Sequence, residues 1–342
     1  MFIVCLKDYN SNFNNINVYF INFSYEYTKL DRETMLEANE ETFKNITKLR
    51  NLGLSFGNLF VVDDKLNLKD DFVNAMTNKF EAGILREDFK HNAQKGTDDI
   101  NNWVNEDTKG KISKLFDKTL DQDTKAVIAN ALHFKSSWRN PFDEKISYHG
   151  KFNLGNGETK DVTYMTIGAN KLKGSRYSSN FGFENVQIPF DNEGRLWFGI
   201  MLPNSANTNF GCCSSFVDFI QGARPRAVHL TFPKFNISQT HTGLKEILQH
   251  LDVKNLFDQS SDLSGIDGKH DLYVSDILQK ATFAVDENGA EGAAATGAVI
   301  STFNAIVPEE NAINFVVDRP FIFSLTDRIT EVNFFIGLIY SP

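Results

Sequence analysis

The segment from Val285 to Phe303 is the part of the chain whose residue types point to chemistry. It carries very small side chains with few charges and ends in a phenylalanine. Side chains this small cannot build a hydrophobic core, and an ordinary surface loop would carry more Lys, Asn, Asp and Pro. In an extended strand, alternate side chains face opposite sides. One face, which could enter a sheet over a packed core at little steric cost, would consist of Ala290, Gly292, Ala294 and Thr296.

The sequence carries no enzyme signature. It has no Gly-rich phosphate loop, no Gly-x-Ser-x-Gly elbow, and no Cys-x-x-Cys or His-Glu-x-x-His motif. The seven histidines are scattered: His241 and His250 lie too far apart in sequence to share one helical face, and His133 lies within a strand-like apolar run. We therefore expect no catalytic residues, no metal site and no cofactor.

Composition indicates a globular protein of 342 residues, a length that large sheet proteins reach as one domain. The 31 phenylalanines can supply large buried areas. A net charge of −9 argues against nucleic acid or an anionic membrane as a partner. No stretch of eighteen apolar residues occurs, so no transmembrane helix is expected.

The cysteines and the N-terminus say little about the compartment. Cys212 and Cys213 are neighbours, which rarely meet disulfide geometry, and Cys5 is the one other cysteine, so free thiols are expected. Met1–Leu6 is apolar but too short for a signal-peptide core. Three triplets match the N-glycosylation pattern, and in an Asn-rich chain they favour an extracellular location only weakly over a cytoplasmic one: Asn22-Phe-Ser, Asn45-Ile-Thr and Asn236-Ile-Ser.

Local patterns predict helices mostly early and strands mostly late, which is typical of an α+β protein. Residues 31–50 are charged and favour a helix, and Thr97 is a suitable N-cap for a second helix. Gly57–Val62 and Ala126–Phe134 favour strands, the latter a central one, and Val332–Tyr340 favours a strand near the C-terminus.

Several motifs, together with the small-residue segment, resemble the serpins, the serine protease inhibitor family. They follow the family's order from about Leu52 to Pro342. The motifs are Asn102–Ile112, Asn130–Phe142, Leu230–Phe235, Asp262–Ile266, Asp318–Phe323 and Phe335–Ile339.

The resemblance implies a single serpin domain over residues 1–342, acting as a monomer. The implied fold is α+β, with three β-sheets, a large central and mostly antiparallel sheet, about eight or nine helices and an exposed reactive-centre loop. Residues 1–50 would form an atypical or incomplete N-terminal part, because the family's Ser-Pro-x-Ser motif is missing there. Residues 287–310 would form the hinge and the reactive-centre loop.

The implied function is suicide-substrate inhibition, so the chain itself would not be an enzyme. In the family, a serine protease attacks the loop and forms an acyl-enzyme. The loop then inserts into the main sheet and distorts the protease before deacylation. Ala290–Ser301 contains 12 residues (301 − 290 + 1), which span roughly 40 Å as a strand, enough to cross a domain.

The family's spacing places the cleaved bond at Phe303–Asn304, sixteen residues beyond Glu287. An aromatic residue there fits the hydrophobic slot of a chymotrypsin-like enzyme, such as chymotrypsin, chymase or a cathepsin-G-like protease. Cleavage after Thr302 or Asn304 is the nearest alternative, with Ile306 more distant. The hinge itself comprises Glu287, Gly289, Ala290, Glu291, Gly292, Ala293, Ala294, Ala295 and Thr296.

Three further residues match family positions that control sheet opening. Trp138 corresponds to the breach, where the loop first enters the sheet, and Asn130 to the shutter, a polar cluster below the sheet centre. Gln279 stands where the family usually has His. Gly292 replaces the usual Ala and costs roughly 0.5–1 kcal/mol in a strand, so part of the protein would be cleaved as a substrate.

Two other functions stay open. A non-inhibitory serpin, acting as a binding, carrier or chaperone-like protein, would be cleaved without forming a complex. A cross-class inhibitor would trap papain-like cysteine proteases through a thioester, although Phe303 favours serine proteases.

Overall fold

The computed structural model describes residues 17–19, 32–180, 182–205, 222–241, 243–250, 253–290 and 311–342. The chain divides into two compact units. The first is built mainly on Ser24–Phe134 and Ser238–Thr282, and the second mainly on Lys135–Ile237 and Phe283–Pro342.

The described residues contain five α-helices, which are α1 Arg32–Thr47, α2 Asp70–Asn74, α3 Phe89–Asp107, α4 Leu244–His250 and α5 Ser264–Asp267. Short 3-10 helices cover Lys48–Leu52, Glu144–Ile146 and Asn255–Phe257, and a π-helix covers Ala75–Lys79. The helix count therefore differs from the eight or nine expected, while the α+β class fits.

Sixteen strands occur in the described residues. The first eight are β1 Asn17–Tyr19, β2 Leu54–Asp63, β3 Gly83–Glu87, β4 Ala126–Phe134, β5 Tyr148–Asn153, β6 Thr159–Ile167, β7 Arg176–Asn180 and β8 Phe183–Pro189. The others are β9 Leu196–Pro203, β10 Arg224–Pro225, β11 Val228–Pro233, β12 Phe235–His241, β13 Asp276–Val285, β14 Ile313–Val316, β15 Phe321–Asp327 and β16 Asn333–Ile339.

A five-stranded sheet has the order β12-β13-β4-β2-β3. Strands β2 and β4 are antiparallel, with Asn58 opposite Asn130, whereas β2 and β3 are parallel. The apolar run Ala126–Phe134 forms β4 with the predicted bounds, because nearly all of its side chains are buried. The expected central strand is therefore confirmed.

Strands β4 and β13 lie side by side and run parallel. Three hydrogen-bonded pairs, Ala126–Ser275, Asn130–Gln279 and His133–Thr282, all have the same sequence offset of 149 residues. A constant offset means that both strands advance in the same direction. Two parallel neighbours leave a place where an antiparallel strand could pair with each of them.

Helix α3 packs across this sheet over close glycine contacts. A Cβ at Gly83 would lie 2.7 Å from the Trp103 ring. The expected helix start at Thr97 is wrong, because the helix begins at Phe89 and Asp88 is the N-cap. Thr97 lies inside the helix, where its hydroxyl donates to Ala93 O and accepts from the Leu120 amide.

The second unit holds a seven-stranded sheet and a four-stranded sheet. Their orders are β1-β16-β15-β9-β8-β7-β10 and β14-β11-β6-β5. The phenylalanine-rich composition is concentrated here: the Phe283 ring lies 4.9 Å from Phe335 and 5.1 Å from Phe323. Such aromatic pairs add to the free energy of burial.

No helix in the part of the chain that the structure describes is long and apolar enough to cross a membrane.

Candidate functional site

The hinge begins with a tight reversal at the end of β13. The Asp286 carboxylate accepts hydrogen bonds from the backbone amides of Asn288 (2.8 Å) and Gly289 (3.1 Å). The Asp286 amide in turn donates to Gly289 O at 2.8 Å. An aspartate that bonds its own backbone two residues on favours a turn.

After this turn the chain heads back as an antiparallel strand. Gly289 pairs with Ser137, and Ala290 pairs with Val285 at the end of β13. Gly289 has φ +149°, and a Cβ there would lie 2.0 Å from Ser136 O, so only glycine fits. The Ala290 amide donates to Ser136 O at 2.7 Å, and its side chain is fully buried.

Glu287 is buried and carries a paired charge. Its carboxylate lies 2.6 Å from Lys234 Nζ and accepts a 2.6 Å hydrogen bond from Ser147 Oγ. Its carbonyl accepts from the Phe142 amide at 2.8 Å. Burial by itself would raise the pKa of Glu287, but the hydrogen bonds from Lys234 and Ser147 outweigh it, so this pKa is lowered.

Trp138 fixes the other side of the turn. Its backbone amide donates to Asn288 O at 3.0 Å, and its indole Nε1 donates to Asp286 O at 2.8 Å. The indole is buried and stacks on Phe190 with 4.1 Å between ring centroids. The breach residue expected from the sequence therefore contacts the hinge directly.

One segment, residues 136–147, contacts every residue from Asp286 to Ala290, through hydrogen bonds or, at Gly289, through the strand pairing with Ser137. Its last contact comes from Glu144, whose Oε1 accepts a 3.2 Å hydrogen bond from Asn288 Nδ2. We call residues 136–147 the hinge clamp. Sequence reasoning found Trp138 in this clamp and missed Ser147 and Glu144, whose contacts join residues 140 and 144 positions apart.

The expected shutter residues meet in the first unit. Gln279 Nε2 donates to Asn130 Oδ1 at 2.7 Å, and Asn130 Nδ2 donates to Asn58 Oδ1 at 2.8 Å. A second bridge between β4 and β13 joins His133 Nδ1 and Thr282 Oγ1 at 2.8 Å. The structural role expected for His133 agrees with this contact, and Gln279 keeps a hydrogen bond to Asn130.

Several predicted residues lie outside the described part of the chain, including the three cysteines and Asn22. The hinge and reactive-bond residues among them are Glu291, Gly292, Ala293, Ala294, Ala295, Thr296, Phe303 and Asn304. Of the other glycosylation triplets, Asn236 is exposed on β12 and Asn45 is half-buried in α1. Within the described residues, no group of three or more His, Cys, Asp or Glu could hold a metal ion.

Comparison with known proteins identifies relatives along most of the chain. Iripin-1 of Ixodes ricinus is 33% identical over 298 residues, which cover 85% of this chain and 74% of that protein. A "serine protease inhibitor" of Cyanea capillata is 30% identical over 292 residues, covering 82% and 74%. Leukocyte elastase inhibitor A of Rattus norvegicus is 30% identical over 302 residues, covering 84% and 78%.

Solved structures and a family model also match most of the chain. The insect serpin Serpin48 of Tenebrio molitor is similar with a TM-score of 0.77 and 27% identity, covering 92% of this chain and 82% of that one. The fold of maspin matches with a TM-score of 0.78 at 20% identity, covering 93% and 84%. The model of the serpin (serine protease inhibitor) family matches residues 19–342. The three-sheet α+β fold is thus the serpin fold, and the chain belongs to the serpin family.

Proposed function

We propose that this protein is a suicide-substrate inhibitor of chymotrypsin-like serine proteases, and that residues 1–342 act as one inhibitory unit. The observation that carries the proposal is the pairing of Gly289 with Ser137 and of Ala290 with Val285. These pairs give the first two residues of an antiparallel strand. Small side chains continue from there through Thr296, so further residues could follow into the sheet.

Family members support inhibition over other serpin roles. The Cyanea capillata and rat relatives carry inhibitor names, and the serpin family is in general one of serine protease inhibitors.

The chemistry takes place at Phe303–Asn304. The protease serine Oγ attacks the carbonyl carbon of Phe303, and its proton passes through the protease histidine to the nitrogen of Asn304. The peptide bond breaks, which leaves an ester on Phe303 and a new amino terminus at Asn304. Inhibition requires that the loop inserts before water hydrolyses this ester.

Phe303 defines the target class in this proposal, since a large aromatic side chain fills the hydrophobic slot of chymotrypsin, chymase or a cathepsin-G-like protease. The exposed Asn236 triplet and this protease class favour an extracellular site of action. The inhibitor would work as a monomer.

The test is to mix the protein with chymotrypsin near equimolar ratio and to run a denaturing gel with mass spectrometry. We expect a covalent band at the summed mass less the released C-terminal fragment, and mass spectrometry should show that this fragment begins at Asn304. Fragments that begin one or more residues away would move the reactive bond to Thr302, Asn304 or Ile306. The control is Phe303→Arg, which should lose chymotrypsin and gain trypsin as its target.

Clean cleavage with full protease activity would overturn the inhibitory proposal and favour a carrier or chaperone-like serpin. A complex with papain but none with chymotrypsin would favour the cross-class function.

A further inference from the structure

We infer that Asp286 is a positioning residue for loop insertion, because its carboxylate holds the turn through which β13 leads into the inserted strand. This inference rests on the proposed function and identifies a residue that influences the rate of loop insertion. Asp286 stands 17 residues before Phe303 in the sequence (303 − 286), so it is not one of the residues expected at the reactive bond. It would act through the turn alone.

The chain reverses direction sharply between Val285 and Ala290. Only four residues separate Val285 from Ala290, and those two pair antiparallel, so the chain must reverse within them. The reversal directs the amides of Asn288 and Gly289 inward, where the Asp286 carboxylate accepts both at 2.8 and 3.1 Å. Without an acceptor, these half-buried amides would lose hydrogen bonds that they can keep in an open chain.

The same turn is the one that an inserted loop needs. A strand placed between β4 and β13 must run antiparallel to both, so it must follow β13 through a tight reversal. Asp286 stabilises this reversal before any protease arrives. Insertion therefore begins from a turn that is already formed and continues by adding residues to the strand. The entropic cost of ordering the turn does not arise during insertion.

The hinge clamp holds the same turn through other atoms, because the Trp138 amide and indole donate to Asn288 O and Asp286 O. Exposed Glu144 accepts from Asn288 Nδ2 at 3.2 Å, a longer and solvent-accessible hydrogen bond. The ion pair with Lys234 anchors Glu287, which lies between Asp286 and Asn288, but it does not involve the amides of Asn288 and Gly289. The carboxylate of Asp286 is thus the side-chain group that accepts the amides of Asn288 and Gly289.

We expect Asp286→Ala to change how the acyl-enzyme divides between hydrolysis and trapping, and to leave the attack of the protease on the loop unchanged. Losing two hydrogen bonds to a carboxylate should slow insertion about tenfold, a change of about 1.4 kcal/mol. The proposed attack is at a bond 17 residues further along the chain, so the rate of acyl-enzyme formation should stay the same. The ratio of cleaved product to covalent complex should therefore rise about tenfold in Asp286→Ala.

The experiment compares wild type, Asp286→Ala, Asp286→Asn and Asp258→Ala against chymotrypsin. Asn keeps an oxygen that can accept both amides, so Asp286→Asn should restore most of the wild-type ratio. Asp258 accepts from the Ser260 amide at 2.7 Å in a similar turn outside the hinge, so its replacement should leave the ratio unchanged. Melting curves of the uncleaved proteins show whether each variant folds.

A second measurement separates this inference from the proposed function. After the loop is cut by chymotrypsin, or by a broad-specificity protease such as thermolysin, the gain in thermal stability is followed over time as a readout of insertion. If wild type gains stability but traps no protease, the inhibitory proposal fails and the Asp286 comparison still applies to the rate of that gain. Equal ratios and equal rates for wild type and Asp286→Ala would overturn the inference, as would a wild type that gains no stability after cleavage.

Discussion

Removal of the Lys234 charge tests whether the hinge is held by a buried ion pair. The Glu287 side chain is 3% exposed and that of Lys234 is 37% exposed, with 2.6 Å between Oε2 and Nζ. In the variant Lys234→Met the aliphatic stem remains, but Glu287 keeps only Ser147 as a side-chain partner among the contacts described above. The carboxylate must then stay charged with weaker support or take up a proton.

The magnitude follows from the burial of the two partners. Breaking a fully buried pair costs about 3–5 kcal/mol, and exposed pairs contribute about 0–1 kcal/mol. Because Lys234 is partly exposed and Ser147 remains, we expect about 2 kcal/mol. An unfolding entropy of about 2.1 cal/mol/K per residue corresponds to about 0.7 kcal/mol/K for this chain, so the melting temperature should fall by about 3 °C.

The pH dependence has a defined sign. The folded pKa of Glu287 is lowered from its ordinary value of 4.5, so its contribution to stability is present above 4.5 and is lost as the pH falls through the folded pKa. The difference in melting temperature between wild type and Lys234→Met should therefore be largest at neutral pH. It should shrink as the pH falls below 4.5.

The assay is differential scanning calorimetry at a fixed scan rate between pH 3 and pH 7. The matched control is Lys151→Met, which breaks an exposed 2.8 Å pair with Asp161 and should shift the melting temperature by less than about 1 °C. A Lys234→Met protein that melts like this control, or a deficit that is constant across the pH range, would refute the reasoning.

Three further substitutions test separate contacts. Gly289→Ala should raise the ratio of cleaved to complexed protein on a gel, because its Cβ would meet a backbone oxygen at 2.0 Å; an unchanged ratio would contradict the turn geometry. Trp138→Phe should lower the melting temperature by about 1–2 °C through loss of the indole bond to Asp286 O, worth about 1 kcal/mol. Thr282→Val should lower it by about 2–4 °C, since the bridge to His133 is lost; Thr282→Ser keeps the hydroxyl and should match wild type.

Elements with a strong burial pattern could be predicted from the sequence. Ala126–Phe134 is a mostly apolar run of strand length, and β4 has the same bounds. The start of α3 could not be predicted from Thr97, because residues before it lack an apolar period and Asn92 has the non-helical angles φ −137° and ψ 42°. The N-cap is Asp88, whose side chain accepts from the His91 amide. This hydrogen bond depends on the geometry of the first helical turn, so the sequence alone did not indicate it.

The sequence was enough to propose a hinge segment, but not to predict the contacts of its first residues. Trp138 and Glu287 stand in motifs with fixed spacing, so the resemblance identified both. Ser147 reaches Glu287 across 140 residues of sequence, and no local pattern indicates that pairing. Lys234 lies within the motif Leu230–Phe235, between β11 and β12, and that motif left its charge partner unspecified.

The polar bridges between β4 and β13 oppose the insertion that the hinge turn favours. If the loop inserts as proposed, the bonds of Gln279 to Asn130 and of Thr282 to His133 must break, each worth about 0.5–1.5 kcal/mol. In return, one parallel ladder is replaced by two antiparallel ladders, which are slightly more stable per residue and extend over about a dozen positions. The bridges are therefore too weak to decide whether insertion is favourable. Because they must break before the new ladders form, they act on the rate, and it is the rate, measured against ester hydrolysis, that separates an inhibitor from a substrate.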